Sequence, residues 1–394
     1  MARAKSTSLW PFASKKKSAP KKTGFGRYVL MFLAFMTGSG SIAGMTEYDW
    51  LRAAGRLLLD RVTSHHSGST DAGDGAIRVY FTHPEQAPET PGDIAHALVG
   101  YIDATKETLD VATFELDNHL ITDALVRAVR RGVKVRCVTE TNYINASGIT
   151  ALRGVGVTIV DDQRDSALMH NKFMVFDRKA VWTGSMNFTE NCAYRNNNNG
   201  LCIDSTQLAE NYATKFAWMF EQHKFGAAPS KADRIPNPVI TLRDGTQLEN
   251  YFSTHDHPAE HIVATVKLAK KSVHFMAFSF THKGIGQAML GKARDGIEVG
   301  GVFEKTQTAT GTSSQYFAFQ EAGLPVFLDG NPRNMHHKVI VIDGEIVIAG
   351  SFNFSESADR SNDENLVIIY NRKIAELFEE EYQKVLATAK QARR

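Results

Sequence analysis

Two stretches of this chain carry the same residues at the same gaps. The first runs His170-Asn171-Lys172, four residues, Asp177, six residues, Gly184-Ser185-Met186-Asn187-Phe188. The second runs His336-His337-Lys338, four residues, Asp343, six residues, Gly350-Ser351-Phe352-Asn353-Phe354. The offset is 166 residues throughout, so whatever the first stretch builds, the fold must build again. The repetition reaches further. Val79-Tyr80-Phe81 recurs as Asn250-Tyr251-Phe252, and Leu109–Phe114 recurs as Val273–Phe278. Arg131-Gly132-Val133-Lys134-Val135 recurs as Asp295-Gly296-Ile297-Glu298-Val299, each a helix-ending glycine followed by a strand. Helical patterns at 121–131 and 285–294 lie between these strand-like runs. Strands alternating with helices predict an α/β fold of two similar halves, each a mixed sheet flanked by helices.

Local geometry gives the repeated residues a purpose. A strand over 170–176 puts His170 and Lys172 on one face and turns Asn171 away. The same alternation turns His337 from the face of His336 and Lys338, so His337 reads as structural. Asp177-Arg178-Lys179 turns the chain, and Asp343-Gly344 is a strong tight-turn signal. The chain then returns to Gly184 or Gly350, where glycine permits close backbone approach. Together the copies offer two His, two Lys, two Asn and two Ser, a set that suits an anionic phosphodiester. Lys172, Lys338, Asn187 and Asn353 would stabilise charge on the non-bridging oxygens. One neutral His would attack phosphorus, and the other, protonated, would give its proton to the leaving oxygen. Ser185 and Ser351 are expected to contact substrate. The lysines supply the positive charge, so neither a metal nor another cofactor is expected. Asp177 and Asp343 are expected to support the site through turn formation and hydrogen bonding rather than chemistry.

The pattern resembles the signature of the phospholipase D superfamily. The resemblance implies a pseudo-twofold arrangement with the active site between the halves, phosphodiester cleavage through a phosphohistidine, and His170 as nucleophile. A further block follows each copy: Asn196-Asn197-Asn198-Asn199 in the first, Asn362-Asp363-Glu364-Asn365 in the second. The second resembles the Asn-x-Glu-Asn block of the family's small bacterial nucleases, where the Glu orients a catalytic His; Glu364 fits that role. Asn198 holds the equivalent place without charge and is counted with Ser185 and Ser351 as facing substrate. The same cassette serves phospholipases, cardiolipin synthases and hydrolases, and nucleases. A phospholipid is the preferred substrate and nucleic acid the alternative.

Charge and targeting bear on that choice. Of 45 Lys and Arg, eight fall in residues 1–43, which contain no acid. The remaining 37 face all 43 Asp and Glu, so the globular part is net acidic and offers no long-range attraction to nucleic acid. Its best basic cluster is Arg127, Arg130, Arg131, Lys134 and Arg136, which reads as the solvated end of a helix and strand. Phe278, Phe280, Tyr316, Phe317 and Phe319 form either an apolar rim or core. Lys15-Lys16-Lys17 and Lys21-Lys22 precede an apolar run from Tyr28 to Met36 and small residues through Ala43, as in an export signal or a membrane anchor. The division expected is therefore 1–45 signal or anchor, 46–75 short helix and flexible linker, and two halves at 76–228 and 229–394. A membrane surface is the expected neighbour, and one chain holding both cassettes is expected to act as a monomer. Three cysteines, Cys137, Cys192 and Cys202, are too few for a disulfide framework.

Overall fold

The central strands of this protein read as near-continuous apolar runs, such as Phe173–Phe176 and Val339–Ile342, because both faces of each sheet are covered. In the first half the order is β1 (Ser69–Asp71), β2 (Ile77–Phe81), α1 (Ile94–Ala104), β3 (Thr108–Thr113), α2 (His119–Arg130), β4 (Lys134–Thr139), α3 (Ser147–Gly154), β5 (Thr158–Asp161), β6 (Lys172–Phe176), β7 (Ala180–Gly184), α4 (Glu190–Tyr194), β8 (Asn199–Asp204) and α5 (Thr206–Phe220). In the second half it is β9 (Val239–Thr241), β10 (Gln247–Phe252), α6 (Pro258–Lys267), β11 (Ser272–Ala277), α7 (Lys283–Arg294), β12 (Glu298–Phe303), α8 (Lys305–Thr310), α9 (Gln315–Glu321), β13 (Val326–Leu328), β14 (Lys338–Ile342), β15 (Ile346–Gly350), α10 (Glu356–Arg360), β16 (Asn365–Tyr370) and α11 (Arg372–Ala392). These come from a computed structural model that describes residues 69–71, 76–226, 230, 233–310 and 313–393. The expected signal or anchor over 1–45 and the helix over 46–62 lie outside the described residues.

Each half forms one eight-stranded sheet. The orders are β1-β2-β8-β7-β6-β3-β4-β5 and β9-β10-β16-β15-β14-β11-β12-β13, which correspond strand for strand. The β3-β4-β5 and β11-β12-β13 ladders are parallel, and the remaining pairs are antiparallel. The mixed sheets are those the alternating pattern called for. One expectation fails: Ser69–Asp71, assigned to a flexible linker, instead pairs with Arg78–Tyr80 as β1. The edge of β2 presents unpaired backbone groups that even a polar segment can satisfy.

Alternation sorts side chains into layers. On β6, Phe173 and Val175 join a core that also contains Val339 and Val341 of β14, whereas Met174 and Phe176 face a separate core under α1 and α2. The central core takes Tyr212 and Phe216 from α5 and Phe378 and Val385 from α11, so these two helices lie between the sheets. A third core covers the other face of the second sheet under α6, α7 and α9. Each fully buried Phe or Val contributes about 2 kcal/mol of apolar transfer. Both sheets contribute to the central core, which fixes how the two cassettes face one another. No helix among the described residues is long and apolar enough to cross a membrane.

Two glycine pairs meet the same backbone demands in both halves. Gly184 and Gly350 have φ of 149° and 146°, and a Cβ on either would strike the backbone oxygen of Asn199 or Asn365 on the neighbouring strand. Gly132 and Gly296, at φ 89° and 82°, end α2 and α7 as expected.

Candidate active site

The repeated strands end at one place. The residues before β6 and β14 pair with the asparagine-rich blocks of the opposite half. His170 N–H donates to Asp363 O at 3.0 Å, and Asp363 N–H donates to Leu168 O at 2.8 Å. His336 N–H donates to Asn197 O at 2.9 Å, and Asn197 N–H donates to Asn334 O at 3.0 Å. Each histidine is thus pinned by the half that does not contain it.

The side chains cross in the same way. His170 Nδ1 lies 2.8 and 2.9 Å from the two oxygens of Glu364. His336 Nδ1 lies 2.9 Å from Asn198 Oδ1. That amide is oriented by its neighbours: its nitrogen donates to Cys192 O at 2.9 Å, and its oxygen accepts from Ser185 Oγ at 2.9 Å. Nδ1 of His336 must therefore be the protonated nitrogen, which leaves Nε2 for chemistry. Ser351 Oγ donates to Glu364 at 2.5 Å, the counterpart of Ser185 on Asn198. The lysines fold back on their own cassettes: Lys172 Nζ donates to His170 O at 2.6 Å and Lys338 Nζ to His336 O at 2.9 Å.

Two expectations need correction. Ser185, Ser351 and Asn198 were expected to face substrate, but all are fully buried and their hydrogen bonds are spent holding the histidines. Ser185 and Ser351 also accept from the backbone N–H of Asn199 and Asn365 at 3.0 Å each. Asp177 and Asp343 form the turns expected of them, but their hydrogen bonds do not reach the site. Each accepts from three consecutive backbone N–H groups at the start of β3 or β11, at 2.7–3.0 Å for Asp177 and 2.7–3.1 Å for Asp343. Seven residues of extended chain, about 20 Å, separate each from its histidine. Positive φ at Asp177 and Arg178, and at Asp343 and Gly344, makes these hairpin turns. Asn187 and Asn353 follow the serines by two residues; each has its side-chain oxygen buried without a partner, and neither hydrogen-bonds a cassette His or Lys.

The structure adds Phe114 to the site and places Phe278, until now rim or core, at the matching position. Phe114 and Phe278 stand edge-on to His170 and His336, at centroid distances of 4.9 and 4.5 Å, with Lys172 and Lys338 Nζ 5.0 and 4.7 Å from the same rings. Each closes a repeated strand, so an aromatic at the same place in both copies was the signal to use. Phe280 and Phe319 are core, whereas Phe317 is 51% exposed. His337 points into the middle layer, where Asn199 Nδ2 lies 2.9 Å from its Nδ1. Asn171 does the same, accepting from Asn365 Nδ2 at 2.9 Å.

Burial dominates the electrostatics. It drives His170 well below the ordinary imidazole value, and the charges of Lys172 and Lys338 push the same way. His336 is lowered by burial, Lys338, Lys172 and His170. Burial takes Lys172 down to about 8, opposed by Glu364. Lys338 falls well below its usual range through burial and Lys172. Burial pushes Glu364 up to about 8, against the pull of Lys172, the Ser351 hydroxyl and Lys338. The short contact to His170 favours a charged pair while burial favours a neutral one, so His170 and Glu364 hold one proton jointly and titrate as a unit. A phosphodiester anion between the lysines would offset their repulsion and favour protonation of the histidines.

Two facing His-Lys pairs on a duplicated α/β scaffold define a phosphoryl-transfer centre. Residues 98–220 and 262–386 match the family described as cardiolipin synthase, PLD-like domain. The chain belongs to this family, and it is a phosphodiesterase. Among its relatives is a phospholipase D of Rickettsia prowazekii (strain Madrid E), 33% identical over 154 residues, which are 38% of this chain and 75% of that one. A mitochondrial cardiolipin hydrolase of Xenopus laevis is 33% identical over 138 residues, 34% of this chain and 65% of the relative. The crystal structure of phosphatidylserine synthase from Haemophilus influenzae Rd KW20 shares the fold, with a TM-score of 0.60 at 13% identity over 84% of this chain and 90% of that one.

Proposed function

We propose that the protein cleaves phospholipid phosphodiesters through a covalent phosphohistidine on His170, without a metal. The difference between the two histidines' partners carries this reading: a carboxylate behind His170, a neutral amide behind His336. A nucleophilic imidazole becomes cationic when Nε2 bonds phosphorus, and a carboxylate on Nδ1 stabilises that charge. A general acid needs only its tautomer fixed, which Asn198 does. In the first step His170 Nε2 bonds phosphorus, the bond to the leaving oxygen breaks, and His336 gives that oxygen its proton. In the second, His336 takes a proton from water, the water oxygen bonds phosphorus, and the phosphorus–nitrogen bond breaks. Lys172 and Lys338 stabilise the non-bridging oxygens throughout.

The lipid preference is supported by what the basic residues do. Arg127 and Arg131 pair with Asp103 at 2.8 and 3.2 Å, and Arg136 pairs with Asp110 and Glu221 at 2.8 Å each, which takes most of the strongest basic cluster out of use for a polyanion. The two curated relatives above are named for lipid substrates. Residues 1–43 are proposed to export or tether the enzyme, which would set a monomer at a membrane surface. The test offers the full chain mixed phospholipid vesicles in one arm and single- and double-stranded nucleic acid in the other, both in EDTA. Head-group release that is lost in His170→Ala/His336→Ala is expected. Cleavage of nucleic acid with lipid left intact would make the enzyme a nuclease instead, and activity that returns only on adding a divalent ion would end the metal-free mechanism.

A further inference from the structure

Asp363, which precedes Glu364, is fully buried and carries more charge around it than its backbone role requires. Its carboxylate accepts from Lys215 Nζ of α5 at 2.6 Å, from Arg164 Nη2 at 2.6 Å and from Gly226 N–H at 2.9 and 3.0 Å. Arg164 also pairs with Asp162 at 2.8 Å, and Lys215 is itself 1% exposed. The second copy is an internal control. Asn197 makes the same pair of backbone hydrogen bonds beside His336 that Asp363 makes beside His170. Its side chain needs only a neutral partner, Asn331 Nδ2 at 2.7 Å. Where Lys215 stands in α5, the matching place in α11 is Glu381, which lies 3.4 Å from His337 Nε2. Holding the backbone therefore needs no ions, and a buried ion cluster is not an economical way to gain stability. Buried carboxylates stand on the His336 side too, Glu381 and Asp329 among them, but the Lys-Arg clamp on the backbone-pairing residue occurs only on the side where a carboxylate backs the histidine.

We propose that Lys215 and Arg164, acting through Asp363, are positioning residues of the His170–Glu364 pair: they clamp the segment that carries Glu364 and balance the charge behind it. This rests on His170 being the nucleophile. Gly226 ties the segment joining the two halves into the same clamp. The groups facing His170 are Glu364, Lys172, Lys338 and His336, with Glu115 beyond Lys172 and Glu140 holding Met169 N–H at 2.8 Å. The side chains of Lys215 and Asp363 pair with one another rather than with any of these groups, whereas Arg164 also draws on Glu140, so Lys215 and Asp363 are the cleaner pair to vary.

The test is the pH profile of kcat/KM on bis(4-nitrophenyl) phosphate, whose leaving group needs no general acid, so the acid limb reports the His170–Glu364 pair. Removing a positive charge raises a neighbouring pKa, and removing a negative one lowers it. Lys215→Met is expected to move the acid limb up by about half a pH unit and Asp363→Asn to move it down by a similar amount. Lys215→Met/Asp363→Asn should restore the wild-type limb. Arg164→Met, a change at a partly exposed site, should move the limb in the same direction as Lys215→Met and serves if the buried variants do not fold. A lower thermal midpoint with an unmoved acid limb in the folded variants would make the cluster merely structural and overturn the proposal. Activity surviving in His170→Ala would instead overturn the nucleophile assignment, and the proposal with it.

Discussion

The His170 side and the His336 side of the active site are built to one plan and charged differently. Both histidines are pinned by a backbone pairing from the opposite half, flanked by a phenylalanine, and followed by a lysine that folds back onto the histidine's own carbonyl. Behind His170 stand Glu364, Asp363, Lys215 and Arg164; behind His336 stand Asn198, Asn197 and Asn331. Duplication alone would leave two equal histidines. The reaction needs one to bear a covalent bond and the other to carry a proton, and the cheapest place to separate them is the residue at Nδ1, which tunes the ring without touching substrate.

The comparison breaks most severely at the histidines. His170→Ala should lower kcat by about 10³-fold or more with any leaving group and abolish phosphoenzyme in rapid-quench trapping. His336→Ala should lose as much with an alkyl leaving group but far less with 4-nitrophenolate, and it should still accumulate phosphoenzyme. Equal losses on both substrates would remove the division of roles. One level down, Glu364→Gln should cost about 100-fold in kcat and Asn198→Ala about 10-fold, since only the first deletes a charge. Asn198→Asp sharpens the contrast: with a carboxylate behind each ring, the basic limb measured with an alkyl leaving group should move to higher pH, because an added anion raises the pKa of His336, the proton donor.

A smaller effect concerns pH in the native enzyme. Lys172 loses its charge as pH rises through about 8. On bis(4-nitrophenyl) phosphate, which needs no proton from His336, the basic limb of kcat/KM should fall near that value, and Lys172→Met should lose the plateau while retaining the fold. The smallest expected effect is at the turns. Asp177→Ala removes the acceptor of three backbone N–H groups and should cost about 2 kcal/mol in urea unfolding, with kcat/KM unchanged. A large loss of activity without loss of stability would place Asp177 in the chemistry.

The repeat, the α/β class and the His-x-Lys pairs were legible because each rests on short-range pattern. Alternation along β6 and β14 turned Asn171 and His337 away from the cassette face, and the structure has them in the middle layer. What failed was judging where a polar side chain spends its hydrogen bonds. Ser185 and Ser351 look like substrate contacts until the neighbouring strand places Glu364 or Asn198 within reach. Asp177 and Asp343, at constant spacing from the histidines, look like partners of the site until the strand length carries them to its far end. Phe114 was plain in the repeat but lacked a polar atom to draw notice, and Phe278 was read only as rim or core.

The residues alone determined the reaction's equipment: two imidazoles, two ammonium groups and the glycines that let strands approach, all set by identity and by a period of two. Only the tertiary structure decided which carboxylate serves which histidine. Glu364 reaches His170 across 194 residues and Asn198 reaches His336 across 138. No local pattern encodes such contacts. They follow from two sheets closing on one shared core, whose packing brings the end of each repeated strand against the other half.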